Sequence, residues 1–210
     1  MPRAAQKTAA DFIDPDDSLT QLREAAKGCT GCDLYKHATQ TVFGEGPRHA
    51  LLMLIGEQPG DSEDKEGAPF VGPAGRLLDK ALIEAGIERK CVYVTNVVKH
   101  FKYIVRGKKR LHKKPTVIEI RACRPWLEAE IDKVRPRGIL CLGATPAQTL
   151  LGPAFRVTKD RGLRVASNLA PVVMATVHPS SLLREPDPKA REQNYRRFVA
   201  DLRKAAKAVK

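Results

Sequence analysis

The run Leu51-Leu-Met-Leu-Ile55 leads directly into Gly56-Glu-Gln-Pro-Gly-Asp61, so a short apolar segment ends in a polar turn that contains glycine. The same order of features recurs where Gly138-Ile-Leu-Cys-Leu-Gly143 is followed by Ala144-Thr-Pro146. Short apolar runs bounded by turn residues are typical of strands that are buried on both faces of a parallel sheet. These segments therefore indicate an α/β fold.

Strands and helices alternate along the rest of the chain. Two further strands are predicted at 92–98 and 171–177, because both segments are rich in β-branched residues. Apolar residues at helical spacing, together with capping residues, predict helices at 18–27, 73–85, 117–134, 144–151 and from about 188 onward. The alternation predicts three α/β/α layers around a mostly parallel, four-stranded sheet. We expect one domain over 17–210 and a flexible segment over 1–16.

The composition indicates a soluble protein that binds a polyanion. Of 210 residues 42% are hydrophobic, which excludes wholesale disorder, and no run approaches the roughly 18 apolar residues of a membrane span. No apolar segment follows the N-terminal residues, so we expect a cytoplasmic location and no membrane contact. We also expect a monomer. The net charge of +13 favours nucleic acid as the partner. Eight basic residues and no acidic one lie between Lys99 and Lys114, a candidate phosphate-binding loop.

Polar segments follow all four predicted strands. Besides the turns after the first and third strands, Thr95-Asn96 closes the second strand and His178-Pro-Ser-Ser181 follows the fourth. In open α/β sheets ligands bind beyond the carboxyl ends of the strands. We therefore expect these segments to form the walls of one active-site pocket.

The cysteines suggest a metal centre. Cys29 and Cys32 form a C-x-x-C pair beside Gly28, and Cys123 stands apart from apolar runs. Three thiolates suit either zinc or an iron–sulfur cluster. Cys91 and Cys141 lie in apolar runs, so we predict that both belong to the core.

Four motifs, in this order, resemble those of the uracil-DNA glycosylase superfamily: Gly56-Glu-Gln-Pro-Gly-Asp-Ser-Glu-Asp64, Pro69-Phe-Val-Gly-Pro-Ala-Gly-Arg-Leu-Leu78, Val94-Thr-Asn-Val-Val-Lys99 and His178-Pro-Ser-Ser-Leu-Leu183. The resemblance is greatest to the iron–sulfur branch, family 4. It implies the three-layer fold of that superfamily and a repair enzyme that excises uracil from DNA.

Two departures from family 4 are similar to the X-type (UdgX) branch of the superfamily. Gln58 stands where family 4 proteins usually have alanine, and His100 stands where they have a cysteine. An extra basic loop follows, Arg106-Gly-Lys-Lys-Arg-Leu-His-Lys-Lys114, close to the Arg-Ile-His loop of that branch.

The resemblance implies a role for each pocket residue, because the uracil nucleotide must be flipped out of the DNA to be reached. Asn96 would pair with uracil, Phe70 would stack on it, and His178 would donate to its O2, while Glu57 would stabilise the cation-like sugar. Further substrate contacts are expected from Gln58, Gly60, Asp61, Ser180 and Arg110. From the sequence alone, a strand cap or turn is the better interpretation of Asn96, and a helix cap is as good an interpretation of His178. The alternative for Phe70 is an ordinary core aromatic.

His112 is the candidate nucleophile. A neutral imidazole can attack carbon, and the cations of Arg110 and Lys113 should keep it neutral. The X-type resemblance implies that this histidine attacks the sugar C1′ after uracil leaves, so that the protein stays covalently attached to DNA. Without that resemblance, His112 would be one more polar residue of a phosphate-binding loop.

The resemblance also implies a structural [4Fe–4S] cluster held by Cys29, Cys32, Cys123 and His100. Three functions thus remain open: a uracil glycosylase that becomes trapped on its DNA, a turnover glycosylase in which water replaces His112, and a metal-stabilised nucleic-acid-binding module without activity. The last leaves the polar motifs at the strand ends unexplained.

Overall fold

The computed structural model describes residues 7–210. The strands are β1 (Leu52–Gly56), β2 (Val92–Asn96), β3 (Tyr103–Arg106), β4 (Lys109–His112), β5 (Gly138–Leu142) and β6 (Val172–Thr176). The strands β2-β1-β5-β6 form, in this order, a parallel sheet in which every residue is buried. The predicted fold class is confirmed.

The helices cover both faces of this sheet. They are α1 (Leu19–Lys27), α2 (Asp61–Glu66), α3 (Pro73–Ala85), α4 (Val117–Val134), α5 (Ala144–Leu151), α6 (Val157–Asp160), α7 (Pro179–Leu183) and α8 (Pro188–Ala208). Successive strand side chains point to opposite faces. Met53 and Ile55 therefore pack in one cluster with α1 and α4, whereas Leu52 and Leu54 pack in the other with α3 and α8.

The basic loop is a β-hairpin, which the sequence analysis did not predict. β3 and β4 pair antiparallel, from Tyr103 opposite His112 to Arg106 opposite Lys109. Gly107 occupies the turn with a φ of 60°, a conformation that glycine adopts without the steric cost of a side chain. The hairpin places His112 at the end of a strand, where its position is set by cross-strand pairing.

The N-terminal part of the chain is partly structured. Residues 1–6 of the predicted flexible segment lie outside the described residues. Ala9–Phe12 form a 3-10 helix that is capped by Thr8 and packed against α4, and Ala9 is fully buried. This helix was not expected from the sequence.

The two cysteines predicted to be core residues differ in burial. Cys141 is fully buried in β5, whereas Cys91 is exposed in a 3-10 turn before β2. The prediction for Cys91 is wrong because the apolar run that follows it enters the sheet only at Val92. Among the described helices, none combines the length and apolar character needed to cross a bilayer.

Candidate active site

The carboxyl ends of the four parallel strands surround a cavity of about 730 Å³. Its lining includes most of the predicted site residues: Glu57, Gln58, Gly60, Asp61, Phe70, Asn96, His112, His178 and Ser180. Residues from all four strand ends, from α2 and from the hairpin therefore meet in one place. Arg110 and the four candidate metal ligands are not part of this lining.

The amide of Asn96 offers a free acceptor to the cavity. Asn96 is only 2% exposed, and its Oδ1 is buried with no hydrogen-bond partner among residues 7–210. Buried polar atoms are nearly always hydrogen-bonded, so an unpaired one on a cavity wall indicates a place for a ligand donor. The N–H of a flat heterocycle could donate the hydrogen bond that Asn96 Oδ1 lacks.

Phe70 lies next to this amide. A Cβ on Gly56 would come within 2.3 Å of Asn96 Oδ1 and 2.7 Å of Phe70 Cζ, so only glycine leaves room for both side chains. Phe70 itself has a φ of 58°, and such strained conformations concentrate at functional sites. This conformation of Phe70 requires a glycine at position 75, because a Cβ there would collide with the Phe70 carbonyl oxygen.

Gly60 leaves space for the carboxylate of Glu63. Its φ of −95° is open to any residue. A Cβ there would lie 2.6 Å from Glu63 Oε2, which accepts a hydrogen bond from the Gly60 N–H.

His178 caps a helix and also faces the cavity. Its Nδ1 accepts from the Ser180 backbone N–H at 3.1 Å, so the proton of the neutral ring is assigned to Nε2. Burial, only partly offset by the charge of Glu57, lowers the pKa of His178 to about 4. The ring is therefore neutral near pH 7, with Nε2–H as its donor. The cap and the predicted donor role are compatible.

Glu57 and His112 meet on the cavity wall. His112 Nε2 lies 3.3 Å from Glu57 Oε1, and Thr145 donates a hydrogen bond to Oε2. Burial raises the pKa of Glu57, but the hydrogen bonds from His112 and Thr145 and the charge of Lys114 outweigh it, so the net pKa lies below its usual range. Glu57 is therefore an ionised carboxylate beside an imidazole.

Gln58 fixes the base of the hairpin that carries His112. Its Nε2 donates to the carbonyl oxygens of Lys102 and Lys113, each at 3.1 Å, and its Oε1 accepts from the Lys102 N–H at 3.2 Å. Both ends of the hairpin are thus bound to the turn after β1. An alanine at position 58 could make none of these hydrogen bonds.

Arg110 anchors the hairpin to α2. Its Nε lies 2.5 Å from Asp61 Oδ1, and its Nη1 lies 2.7 Å from Oδ2 of Asp64, which is fully buried. The guanidinium also lies over the rings of Phe101 and Tyr103. These two carboxylates hold Arg110 between the hairpin and α2, and Asp61 also lies in the cavity lining. The positive charge of Arg110 is therefore compensated by these two carboxylates.

The three candidate thiol ligands lie near one another beside α4. The pKa values of Cys32 and Cys123 are both raised, mainly by burial and in smaller part by the neighbouring thiols. Cys123 Sγ accepts from the Lys99 N–H, and Cys29 Sγ accepts from the Trp126 indole N–H, each at 3.2 Å. Such N–H···S hydrogen bonds suit thiolates that bind iron.

These residues do not converge on a single metal ion. No group of three or more His, Cys, Asp or Glu side chains within residues 7–210 could hold one. In a [4Fe–4S] cluster each ligand binds a different iron atom, so the ligands need not share a centre. The grouping of the three thiols is thus compatible with a [4Fe–4S] cluster. His100 is buried, with its pKa lowered by burial to about 4, so its ring is the neutral form that binds metals.

Lys99 is not part of an exposed basic loop. It is fully buried, and its Nζ donates to Glu130 Oε2 at 2.5 Å, to Thr95 Oγ1 at 2.6 Å and to the Asn96 carbonyl at 2.7 Å. Glu130, also fully buried, lies on α4. This ion pair ties the end of β2, where Asn96 begins the cavity, to the helix that carries Cys123.

Sequence reasoning assigned no individual role to Thr145 or Arg184, which also line the cavity, and it placed Lys114 only in a phosphate-binding loop. Thr145 follows β5 directly, which was the available signal, since that turn was already expected to form a wall.

Comparison with known proteins agrees with this geometry. The family model described as "Uracil DNA glycosylase superfamily" matches residues 43–203, which include every residue named above on the cavity wall. The chain belongs to the uracil DNA glycosylase superfamily.

Several curated glycosylases are similar to this superfamily member over most of their length. The type-4 uracil-DNA glycosylase of Thermotoga maritima is 39% identical over 93% of this chain and 96% of the relative. The type-4 enzyme of Sulfurisphaera tokodaii is 36% identical over 87% and 84%. The type-5 uracil-DNA glycosylase of Pyrobaculum aerophilum is 31% identical over 78% and 76%.

Proposed function

We propose that the protein excises uracil from DNA and remains covalently joined to the resulting sugar through His112. The observation that carries this proposal is that the hairpin brings His112 into the same cavity as Asn96, with Nε2 of His112 3.3 Å from Glu57 Oε1. The names of the type-4 relatives support uracil as the base, and the unpaired Asn96 Oδ1 supplies an acceptor for its N3–H.

The reaction begins with departure of the base. The bond between C1′ and N1 of uracil breaks, and its electron pair leaves with the base. Nε2–H of His178 donates to the charge that develops on O2, and Asn96 holds the opposite edge of the ring. The ionised carboxylate of Glu57 stabilises the cation-like sugar.

Capture of the sugar follows at His112. The proton on Nε2 of His112 passes to Oε1 of Glu57, and the lone pair that this frees on Nε2 forms the bond to C1′. The products are a neutral N-alkyl imidazole, a protonated Glu57 and the uracil anion, so charge and atoms balance. An N-alkyl bond is not readily hydrolysed, and the protein therefore remains on the DNA.

The cluster has a structural role in this proposal. Cys29, Cys32, Cys123 and His100 would hold a [4Fe–4S] cluster, which would cross-link the segment before β1 to α4 and to the residue that precedes the hairpin. The protein's own residues carry out every chemical step, and it acts as a monomer.

A denaturing gel tests the proposal. After incubation with uracil-containing single-stranded DNA, the wild-type protein is expected to migrate as a DNA adduct. His112→Ala should abolish the shift, whereas His49→Ala, which changes an exposed histidine outside the cavity lining, should not. A shift that survives His112→Ala refutes the covalent role.

The type-4 relatives favour a second candidate, a turnover glycosylase in which Glu57 orients water. Release of more than one uracil per protein molecule without an adduct would support it. Salt provides an independent test, because phosphate contacts weaken steeply with added salt whereas a covalent bond does not. An adduct that high salt dissolves would exclude the first candidate.

A further inference from the structure

Glu57 is held from two sides. Oε1 faces Nε2 of His112, and Oε2 accepts the hydrogen bond of the Thr145 hydroxyl. Thr145 is 5% exposed and lies in the first turn of α5, directly after β5, on the wall of the same cavity. Each carboxylate oxygen therefore has its own partner.

We propose that Thr145 is a positioning residue, whose hydroxyl fixes the carboxylate of Glu57 against the sugar and against His112. This inference rests on the proposed function, and it adds Thr145 to the pair of Glu57 and His112 that the proposed reaction uses. A nucleophile and its proton acceptor commonly depend on a further group that orients the acceptor. Thr145 occupies that position, since it touches Glu57 and not the nucleophile.

The Thr145 hydroxyl is well placed for this role because its own position is fixed. Threonine is β-branched, which restricts the rotation of its side chain. Its carbonyl oxygen accepts the Thr149 hydroxyl at 2.8 Å, one turn further along α5. The donor therefore projects from a helix and not from a mobile loop.

The charged groups around Glu57 explain why its carboxylate needs a fixed hydrogen-bond donor. Lys114 and His112 come from the hairpin side, and His178 faces Glu57 from the turn after β6. Without the Thr145 hydroxyl, the carboxylate is free to turn toward the cation of Lys114. Oε1 would then move away from Nε2 of His112.

Thr145→Val and Thr145→Ser form a matched pair for the test. Valine keeps the shape and branching but removes the hydroxyl, whereas serine keeps the hydroxyl. With uracil-containing single-stranded DNA in single-turnover reactions, Thr145→Val should slow uracil release and adduct formation by about 10- to 100-fold. Thr145→Ser should recover most of this loss. The acid limb of the rate profile should move to higher pH in the valine variant, because Glu57 loses a donor to its ionised form.

The outcomes separate this inference from the function on which it rests. If the wild type releases uracil without forming an adduct, the covalent step of the proposed function is wrong. The rate of uracil release then still tests the role of Thr145. The pKa of Glu57 in the DNA-free protein, followed by carboxyl ¹³C NMR, should be higher in Thr145→Val than in the wild type, whatever the substrate. An unchanged pKa and rate in Thr145→Val, or a serine variant as impaired as the valine variant, overturns the role of the hydroxyl.

Discussion

Nε2 of His112 lies 3.3 Å from Oε1 of Glu57, although the two residues come from a hairpin and from the turn after β1. The contact joins the end of β4 to the turn that follows the first strand of the parallel sheet. An ionised carboxylate and an imidazole nitrogen therefore face each other on the cavity wall.

Gln58→Met should mainly slow the capture of the sugar by His112, with a smaller effect on the stability of the protein. Methionine keeps the length of the side chain but loses the three hydrogen bonds to the hairpin base at Lys102 and Lys113. Because a misplacement of about 1 Å costs up to roughly 100-fold, we expect adduct formation to slow by about 10- to 100-fold. Single-turnover gels measure the rate, and thermal unfolding measures the stability. Unchanged adduct formation would contradict the positioning role of Gln58.

The stability of the protein should depend on pH through His178. Its folded-state pKa is about 4, mainly because of burial, whereas an unfolded histidine titrates near 6.5. Between these values the unfolded state binds more protons, so the free energy of unfolding should fall as pH is lowered from about 6.5 to 4, by roughly 1–3 kcal/mol. His178→Gln, which can still accept from the Ser180 N–H, should reduce this dependence in denaturant titrations. An identical dependence in both proteins would rule out a buried neutral His178.

Lys99→Met should strongly destabilise the protein. It leaves the fully buried carboxylate of Glu130 without its cation, at a cost of about 3–5 kcal/mol. Lys99→Met/Glu130→Gln should recover much of this loss, because glutamine is neutral and can still accept from Gly44 N–H and Tyr93 OH. Denaturant unfolding at equal iron content measures both. If Lys99→Met alone were as stable as the wild type, this result would contradict the buried ion pair of Lys99 and Glu130.

The proposed cluster predicts selective loss of iron. Cys29→Ala and Cys123→Ala should lose iron and sulfide after purification without oxygen, whereas Cys91→Ala, at an exposed site, should retain both. His100→Ala should lose the cluster, and His100→Cys should keep it, because a thiolate also binds iron. Colourless protein that contains zinc and no iron would show that these residues hold a different metal.

The parallel sheet could be predicted because each strand is a short apolar run that is buried on both faces. The hairpin could not, since lysine and arginine in 99–114 obscure the alternation that sets Ile104 opposite Leu111. Its turn depends on Gly107, for which the sequence gives only a weak signal.

Most of the cavity could be predicted from motifs at strand ends, but the partners of its charged groups could not. Arg110 and Lys99 had the same appearance in the sequence, two cations of one basic segment. In the fold, Arg110 binds Asp61 and Asp64, 49 and 46 residues away, and Lys99 binds Glu130, 31 residues away. Contacts over such separations depend on tertiary packing, which no local pattern encodes.

The central claim is most directly tested by locating the bond between protein and DNA. The adduct formed with uracil-containing single-stranded DNA is digested with protease and nuclease, and the peptides are sequenced by mass spectrometry. We expect one modified peptide, with the deoxyribose attached to His112 and uracil absent. Modification of a different residue, or an unmodified His112 peptide beside free abasic DNA, would contradict the account.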